Sequence, residues 1–158
     1  MRKLIFFLFL MSASAYAQDC KYAINKNDIL ETTQEILAFN SDLSGIMATA
    51  KKDGTFKYLE LYMFLPKKAA FDKNNVFQVM LTDGTIVTGI FAEYGRTTYS
   101  DVVGYHVVNI KVFFADEFLE ILTRVPATSI KMRANAEDIE MKSPPKMDRF
   151  MQIVKCIL

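Results

Sequence analysis

The sequence predicts an α+β domain built mainly from an antiparallel β-sheet of about seven to nine strands, with two helices in its C-terminal half. Three observations favour this class. Residues typical of strands, many alternating with a period of two, recur up to residue 114. Asp83-Gly84 lies between two such runs, as in a β-hairpin. Apolar side chains at helical spacing appear at about residues 115–125 and 144–155.

The start of the chain has the pattern of a signal peptide. Two basic residues precede the unbroken apolar run Leu4 to Met11, and Ala15-Tyr16-Ala17 fits the small-residue rule for signal peptidase. The run is far shorter than the roughly 20 residues that span a bilayer. We expect cleavage after Ala17. One alternative is an N-terminal membrane anchor. The other is a lipid anchor on Cys20, but the polar residues before that cysteine disfavour it.

Cleavage there leaves residues 18–158 as a single globular domain, within the usual size range. The full chain has 19 basic and 18 acidic residues, and losing Arg2 and Lys3 brings this balance to 17 against 18. A nearly neutral domain argues against nucleic-acid binding, which normally requires a basic excess. No later apolar run is long enough to span a membrane.

Cys20 and Cys156 lie near the two ends of this domain. In an oxidising compartment an even pair usually forms a disulfide, so we predict a Cys20–Cys156 bond; two unrelated thiols are the alternative. With two cysteines and one histidine, the sequence predicts no metal site, and it contains no motif for a cofactor.

The N-terminal elements are predicted as strands. Residues 28–39 fit either a helix or two strands, and we favour strands. Residues 54–65 form a predicted central strand, whose aromatic stripe we interpret as core beneath a helix rather than a ligand platform. Residues 76–81 and 86–92 form a predicted hairpin, and residues 105–114 a long strand. The stripe consists of Phe56, Tyr58, Tyr62 and Phe64.

The C-terminal elements alternate between helix and strand. Asp116 is a plausible N-cap for the first helix, and Pro126 ends it. Residues 129–133 and 138–142 are predicted strands around an Asn135-Ala136 turn. Ser143-Pro144 has the pattern of a helix start. Either the helix ends before Cys156, or its outer face is tied to the N-terminal strand.

The residues that could support catalysis form no recognisable constellation. His106 is the single histidine, on a predicted strand face that it shares with Val108 and Ile110, and no nucleophile motif accompanies it. Pairs of acids can hydrolyse glycosidic bonds when they flank a cleft, but acids in turns and first helical turns are common for structural reasons. The candidate acids are Asp83, Asp101, Asp116, Glu117 and Glu120.

The segment Glu93 to Asp101 is the candidate binding loop, and its candidate residues are Tyr94, Arg96, Tyr99 and Asp101. Tyrosine and arginine are enriched at binding hot spots, and loops on a rigid sheet often carry function. The alternative is a solvated connector whose tyrosines pack back on the sheet.

Several short stretches resemble the small secreted proteins common in Bacteroidota. These stretches are Gln18-Asp19-Cys20-Lys21-Tyr22, Leu81-Thr82-Asp83-Gly84, residues 115–119, residues 129–133 and Lys155-Cys156. The resemblance implies an exported protein of this fold class. It transfers no activity and no catalytic residue.

We therefore predict a non-enzymatic binding module, periplasmic or secreted, whose partner is a protein, a glycan or an apolar small molecule. One alternative is a small carboxylate-dependent hydrolase acting on envelope polysaccharide. Another is an inhibitor or assembly subunit that pairs an edge strand with its partner.

Overall fold

The computed structural model describes residues 20–26, 29–143 and 148–158; the predicted signal peptide lies outside the described residues. They form thirteen strands and two helices, which confirms an α+β fold dominated by antiparallel sheet. Residues 29–32 and 35–39 are strands, as we favoured. The elements are β1 Tyr22–Lys26, β2 Ile29–Thr32, β3 Glu35–Phe39, β4 Gly45–Asp53, β5 Phe56–Leu65, β6 Ala70–Phe71, β7 Val76–Leu81, β8 Ile86–Phe91, β9 Gly95–Arg96, β10 Thr98–Ser100, β11 Tyr105–Phe113, α1 Asp116–Leu122, β12 Ala127–Ala134, β13 Glu137–Lys142 and α2 Arg149–Lys155.

Eight of the strands pair in a closed ring. Its order is β3, β4, β5, β11, β8, β7, β12 and β13, and β13 returns to β3 through the pair Lys142 and Phe39. The hairpin β1–β2 extends the sheet from β4, β10 adds to β11, and β6 pairs with β9 as a small separate sheet. Ring closure leaves few edges unpaired.

The interior of the ring is filled with side chains. Leu59, Leu61 and Met63 alternate along β5 and are fully buried. Aromatic rings pack where β6, β7 and β8 meet, because Phe71 and Phe77 lie 5.4 and 6.0 Å from the Phe91 ring. Apolar residues of both helices belong to the same core cluster. The ring therefore encloses a packed core.

The aromatic stripe of β5 faces outward, so its interpretation as core beneath a helix is wrong. Phe56 is 70% exposed, and Tyr58, Tyr62 and Phe64 are half-buried. The helices pack elsewhere: α1 contacts β8 and α2, and α2 contacts β3 and β4. The wholly apolar leucine–methionine face takes the core, while the face with phenolic hydroxyls and Glu60 stays near water.

Both helices differ from prediction at their ends. Ala115, not Asp116, occupies the N-cap of α1 and makes no side-chain capping bond. In α2 the cap is Asp148, whose Oδ1 accepts from the backbone N–H of Met151 at 3.0 Å. The predicted start at Pro144 lies outside the described residues. The helix ends at Lys155, with Cys156 as its C-cap. Among the described residues, neither helix has the length and apolar character needed to cross a bilayer.

The predicted disulfide is confirmed. Cys20 and Cys156 are bonded, with Cα atoms 5.6 Å apart across a sequence separation of 136 residues. The Tyr22 hydroxyl also donates to the Cys156 carbonyl oxygen at 2.9 Å. The two ends of the domain are thus held together by a covalent bond and a hydrogen bond.

Asn135 and Ala136 form the tight turn between β12 and β13, with φ angles of 50° and 69°. Glycine tolerates this left-handed conformation, whereas alanine pays roughly 1–2 kcal/mol for it. We expect Ala136→Gly to raise the free energy of unfolding by about 0.5–1 kcal/mol, after the greater freedom of glycine in the unfolded chain is deducted. Urea denaturation measures this. Ala127→Gly, at a residue of β12 whose φ is not positive, is the control and should have the opposite sign.

Candidate binding surface

The outward faces of β5 and β11 carry polar and aromatic side chains in register. Tyr62 pairs with Asn109, and Glu60 pairs with Lys111. Because successive strand residues alternate between faces, these side chains point away from the core that their neighbours fill. The Lys111 ammonium lies 5.8 Å from the centre of the Tyr58 ring. The predicted binding loop borders this face, because Tyr94, Arg96 and Thr98 line a depression together with Tyr62 and Asn109.

Lys51 links two acids on the same face. Its ammonium contacts Glu60 and lies 3.1 Å from a Glu31 carboxylate oxygen. Burial lowers the pKa of Lys51, but the hydrogen bonds that its ammonium donates to Glu60 and Glu31, with the attraction of both carboxylates, outweigh burial and raise the pKa above the usual lysine value. Asn109 Nδ2 donates to Glu60 Oε1 at 3.0 Å. Glu60 is therefore held in place from two sides.

Two depressions lie side by side on this surface and share Tyr62 and Asn109. The first, about 430 Å³, is also lined by Tyr94, Arg96 and Thr98. We call it the tyrosine–arginine depression. The second, about 320 Å³, also includes Glu31, Thr49 and Glu60. We call it the carboxylate depression. The first depression has a cation in its lining, and the second has two acids.

The predicted binding loop is held by strand pairing at two points. It contains β9, which pairs with β6, and β10, which pairs with β11. Tyr94 and Arg96 line the tyrosine–arginine depression, and Tyr94 is 75% exposed. Tyr99 and Asp101 lie outside its lining: Tyr99 projects to the opposite side of β10 from Thr98, and Asp101 lies in the exposed turn that follows.

The position of Arg96 is fixed by the neighbouring backbone. Its strand partner is Ala70, and the adjacent Thr97 Oγ1 both accepts from Ala69 N at 2.9 Å and donates to Ala69 O at 3.2 Å. On the other side of β6, Asn135 Oδ1 accepts from Ala70 N at 2.9 Å, and its backbone N–H donates to Ala70 O at 3.0 Å. The arginine thus extends from β9, whose partner strand β6 is itself hydrogen-bonded to Asn135 on its other edge.

Gly95 allows β9 to lie close against β11. A Cβ atom at this position would approach Ile110 Cδ1 to 2.8 Å and Val108 Cγ2 to 3.3 Å. Glycine is therefore required for the observed contact between the two strands. Sequence reasoning identified Tyr94 and Arg96 but missed Tyr62 and Asn109. The signal for Tyr62 and Asn109 was the alternating pattern of β5 and β11. That pattern does not predict which loop lies beside which face.

His106 has no catalytic geometry in this structure. Its ring meets that of Tyr99 edge-on at 5.3 Å, and its buried Nδ1 has no hydrogen-bond partner among the described residues. A catalytic histidine needs an oriented partner for this nitrogen. His106 is instead half-buried on the same strand face as core residues Val108 and Ile110.

Three of the candidate acids make structural contacts. Asp116 pairs with Lys57 at 3.1 Å, and Glu120 pairs with Arg124 at 3.3 Å. Asp83 accepts from the backbone N–H of Thr85 at 2.9 Å, a bond that lowers the pKa of the aspartate carboxyl. Each of these acids therefore has a structural contact, and the hydrolase alternative stays a prediction without a site.

The edge-strand alternative also stays a prediction. Within the described chain, β1 pairs with β2 alone and β10 with β11 alone, so each presents an outer edge. The β10 edge is three residues long. The turn beyond it exposes Val102, which is 94% accessible.

No set of three or more metal-binding side chains is placed to hold a metal ion in the part of the chain that the structure describes. No protein-family model, curated protein or solved structure matches the chain. Interpretation of the surface therefore depends on its own geometry.

Proposed function

We propose that this protein is an exported, non-enzymatic binding module whose ligand lies across the two depressions on β5 and β11. The observation that carries the proposal is the meeting of Tyr94 and Arg96, from the loop, with Tyr62 and Asn109, from the sheet. Tyrosine and arginine provide much of the binding energy at hot spots. The hydrogen-bonded sheet fixes the backbone from which they extend, so the backbone loses little entropy on binding.

The packing supports binding on the outside of the ring. Core rings such as Phe71, Phe77 and Phe91 fill the interior, so an apolar small molecule would have to displace them. The outer depressions carry hydroxyl, amide, guanidinium and carboxylate groups. This chemistry suits a polar ligand such as a glycan or a peptide better than an apolar one.

Export is supported by the signal-peptide pattern and by the disulfide between the ends of the domain. The protein purified from the envelope of its own host should have the mass of residues 18–158 less two hydrogens. A mass that includes the N-terminal segment or a lipid, or that corresponds to reduced cysteines, would contradict this part of the proposal.

The binding proposal is tested with an array of oligosaccharides and synthetic peptides probed with residues 18–158. We expect Tyr94→Ala/Arg96→Ala to weaken binding of the retained probe by at least about 30-fold, because each truncation of a hot-spot residue costs more than about 1 kcal/mol. Tyr99→Ala/Arg133→Ala is the matched control, with the same residue types outside both depressions. Unchanged binding by the first variant, or no probe retained by the native protein, would overturn the proposal.

A further inference from the structure

We infer that the ligand is an acidic oligosaccharide, with a sugar carboxylate bound at Arg96 and a neutral, hydroxyl-rich sugar at Glu60. This inference rests on the proposed function and names the ligand class of the same surface. It depends on three properties of the surface: an unpaired cation, two accessible aromatic rings and a fixed acid at the far end.

Arg96 is the charged residue that lines the tyrosine–arginine depression. Its side chain is exposed and makes no ion pair or hydrogen bond with another described residue. A guanidinium binds a carboxylate through two parallel hydrogen bonds, and this geometry is preferred over a single point contact. An anionic group therefore complements this half of the surface.

Tyr94 and Tyr62 supply flat surfaces beside that cation. Tyr94 is largely exposed, Tyr62 is half-buried, and neither hydroxyl has a hydrogen-bond partner among the described residues. The face of an aromatic ring carries negative charge density and attracts the positive C–H edges of a neighbouring group. A sugar ring offers such C–H groups on its face and hydroxyls at its rim, so it can use both parts of a tyrosine.

The carboxylate depression disfavours a second anion. The charged side chains that line it are Glu31 and Glu60, whereas Lys51 and Lys111 lie beside Glu60 and outside the lining. Glu60 is held by Lys51 and Asn109. A carboxylate oxygen accepts more than one hydrogen bond, so Glu60 can also accept from ligand hydroxyls. The lining is thus positive at Arg96 and negative at Glu60, and Tyr62 lines both depressions. This polarity fits one acidic sugar joined to a neutral sugar, and it opposes an acidic peptide with charges throughout.

The test is a titration of the ¹⁵N-labelled mature protein, followed by backbone amide chemical shifts. Three probes are compared: glucuronic acid linked to a neutral hexose, the same disaccharide with its carboxyl reduced to an alcohol, and a peptide of four glutamates. We expect the acidic disaccharide to shift the amides of Tyr62, Tyr94, Arg96 and Asn109. Carboxyl reduction should weaken binding at least tenfold, and Arg96→Ala should do the same to the acidic probe. Arg133→Ala is the control and should leave both affinities unchanged.

Glu60→Gln tests the direction of binding. Because this variant lacks the negative charge, it should bind a disaccharide of two glucuronic acids several-fold more tightly than the native protein does. Its affinity for the mixed disaccharide should change little. Equal binding of the acidic and reduced probes, tighter binding of the peptide, or no shift with any probe would overturn this inference. The array tests the proposed function separately. If a neutral glycan or a peptide is retained on the array, and Tyr94→Ala/Arg96→Ala weakens its binding, the proposed function holds even when this inference fails.

Discussion

Loss of the Cys20–Cys156 disulfide is expected to lower the free energy of unfolding by about 5 kcal/mol. The bond closes a loop with a sequence separation of 136 residues, and the chain-entropy model gives about this value for a loop of that length. The total stability of such domains is about 5–15 kcal/mol, so the bond contributes a large share. The end of α2 and the strand after Cys20 would lose their covalent link.

Urea denaturation of the oxidised protein and of Cys20→Ser/Cys156→Ser measures this effect. Reduction of the native protein should reproduce the stability of the double variant, and the reductant alone should leave that variant unchanged. A loss below about 1 kcal/mol would contradict the expectation. It would mean that the unfolded chain is already compact enough for the bond to remove little of its entropy.

Phe91→Ala is expected to lower the free energy of unfolding by about 3–5 kcal/mol, the range for truncation of a fully buried phenylalanine. Phe91 is inaccessible to solvent and contacts the rings of Phe71 and Phe77. Phe71 belongs to β6, which pairs with Gly95 in β9. A cavity at Phe91 therefore removes support beneath the segment that carries Arg96.

Ile90→Ala is the matched control. Ile90 is the preceding strand residue, faces outward and is 44% exposed, so its truncation should cost less than about 1.5 kcal/mol. Denaturation compares the two variants, and amide hydrogen exchange reports the support of β6 and β9. Faster exchange at Phe71 and Thr97 is expected in Phe91→Ala alone. Equal costs for the two variants would show that the cavity collapses around the missing ring.

Local signals in the sequence predicted much of the fold. The turn at Asp83-Gly84 placed β7 and β8 correctly, because Gly84 adopts a positive φ of 85° in the hairpin. Alternation over residues 129–142 predicted β12 and β13 in the same way. Apolar spacing identified α1 and α2, although their ends differ from the prediction.

Closure of the ring could not be predicted from these signals. It depends on pairs distant in sequence, such as Lys142 with Phe39, and on β4, whose Ala48 and Ala50 have weak strand propensity. The sequence also could not predict which face of β5 is buried, because both faces of that strand are largely apolar. The pairing of β5 with β4 and β11 decides this. The binding surface was predicted in part for the same reason: Tyr94 and Arg96 share a loop, whereas Tyr62 and Asn109 join them through strands that the sequence does not align.

The disulfide makes the chain between Cys20 and Cys156 a covalent circle. A protease that cuts once within this circle, for example in the exposed turn at Asp101 to Gly104, releases no fragment, because both pieces remain joined through the cystine. Two cuts, or one cut and a reductant, are needed to separate them. Such a chain can be nicked and still keep its strands in contact, as in a circularly permuted protein whose new ends lie at an exposed turn.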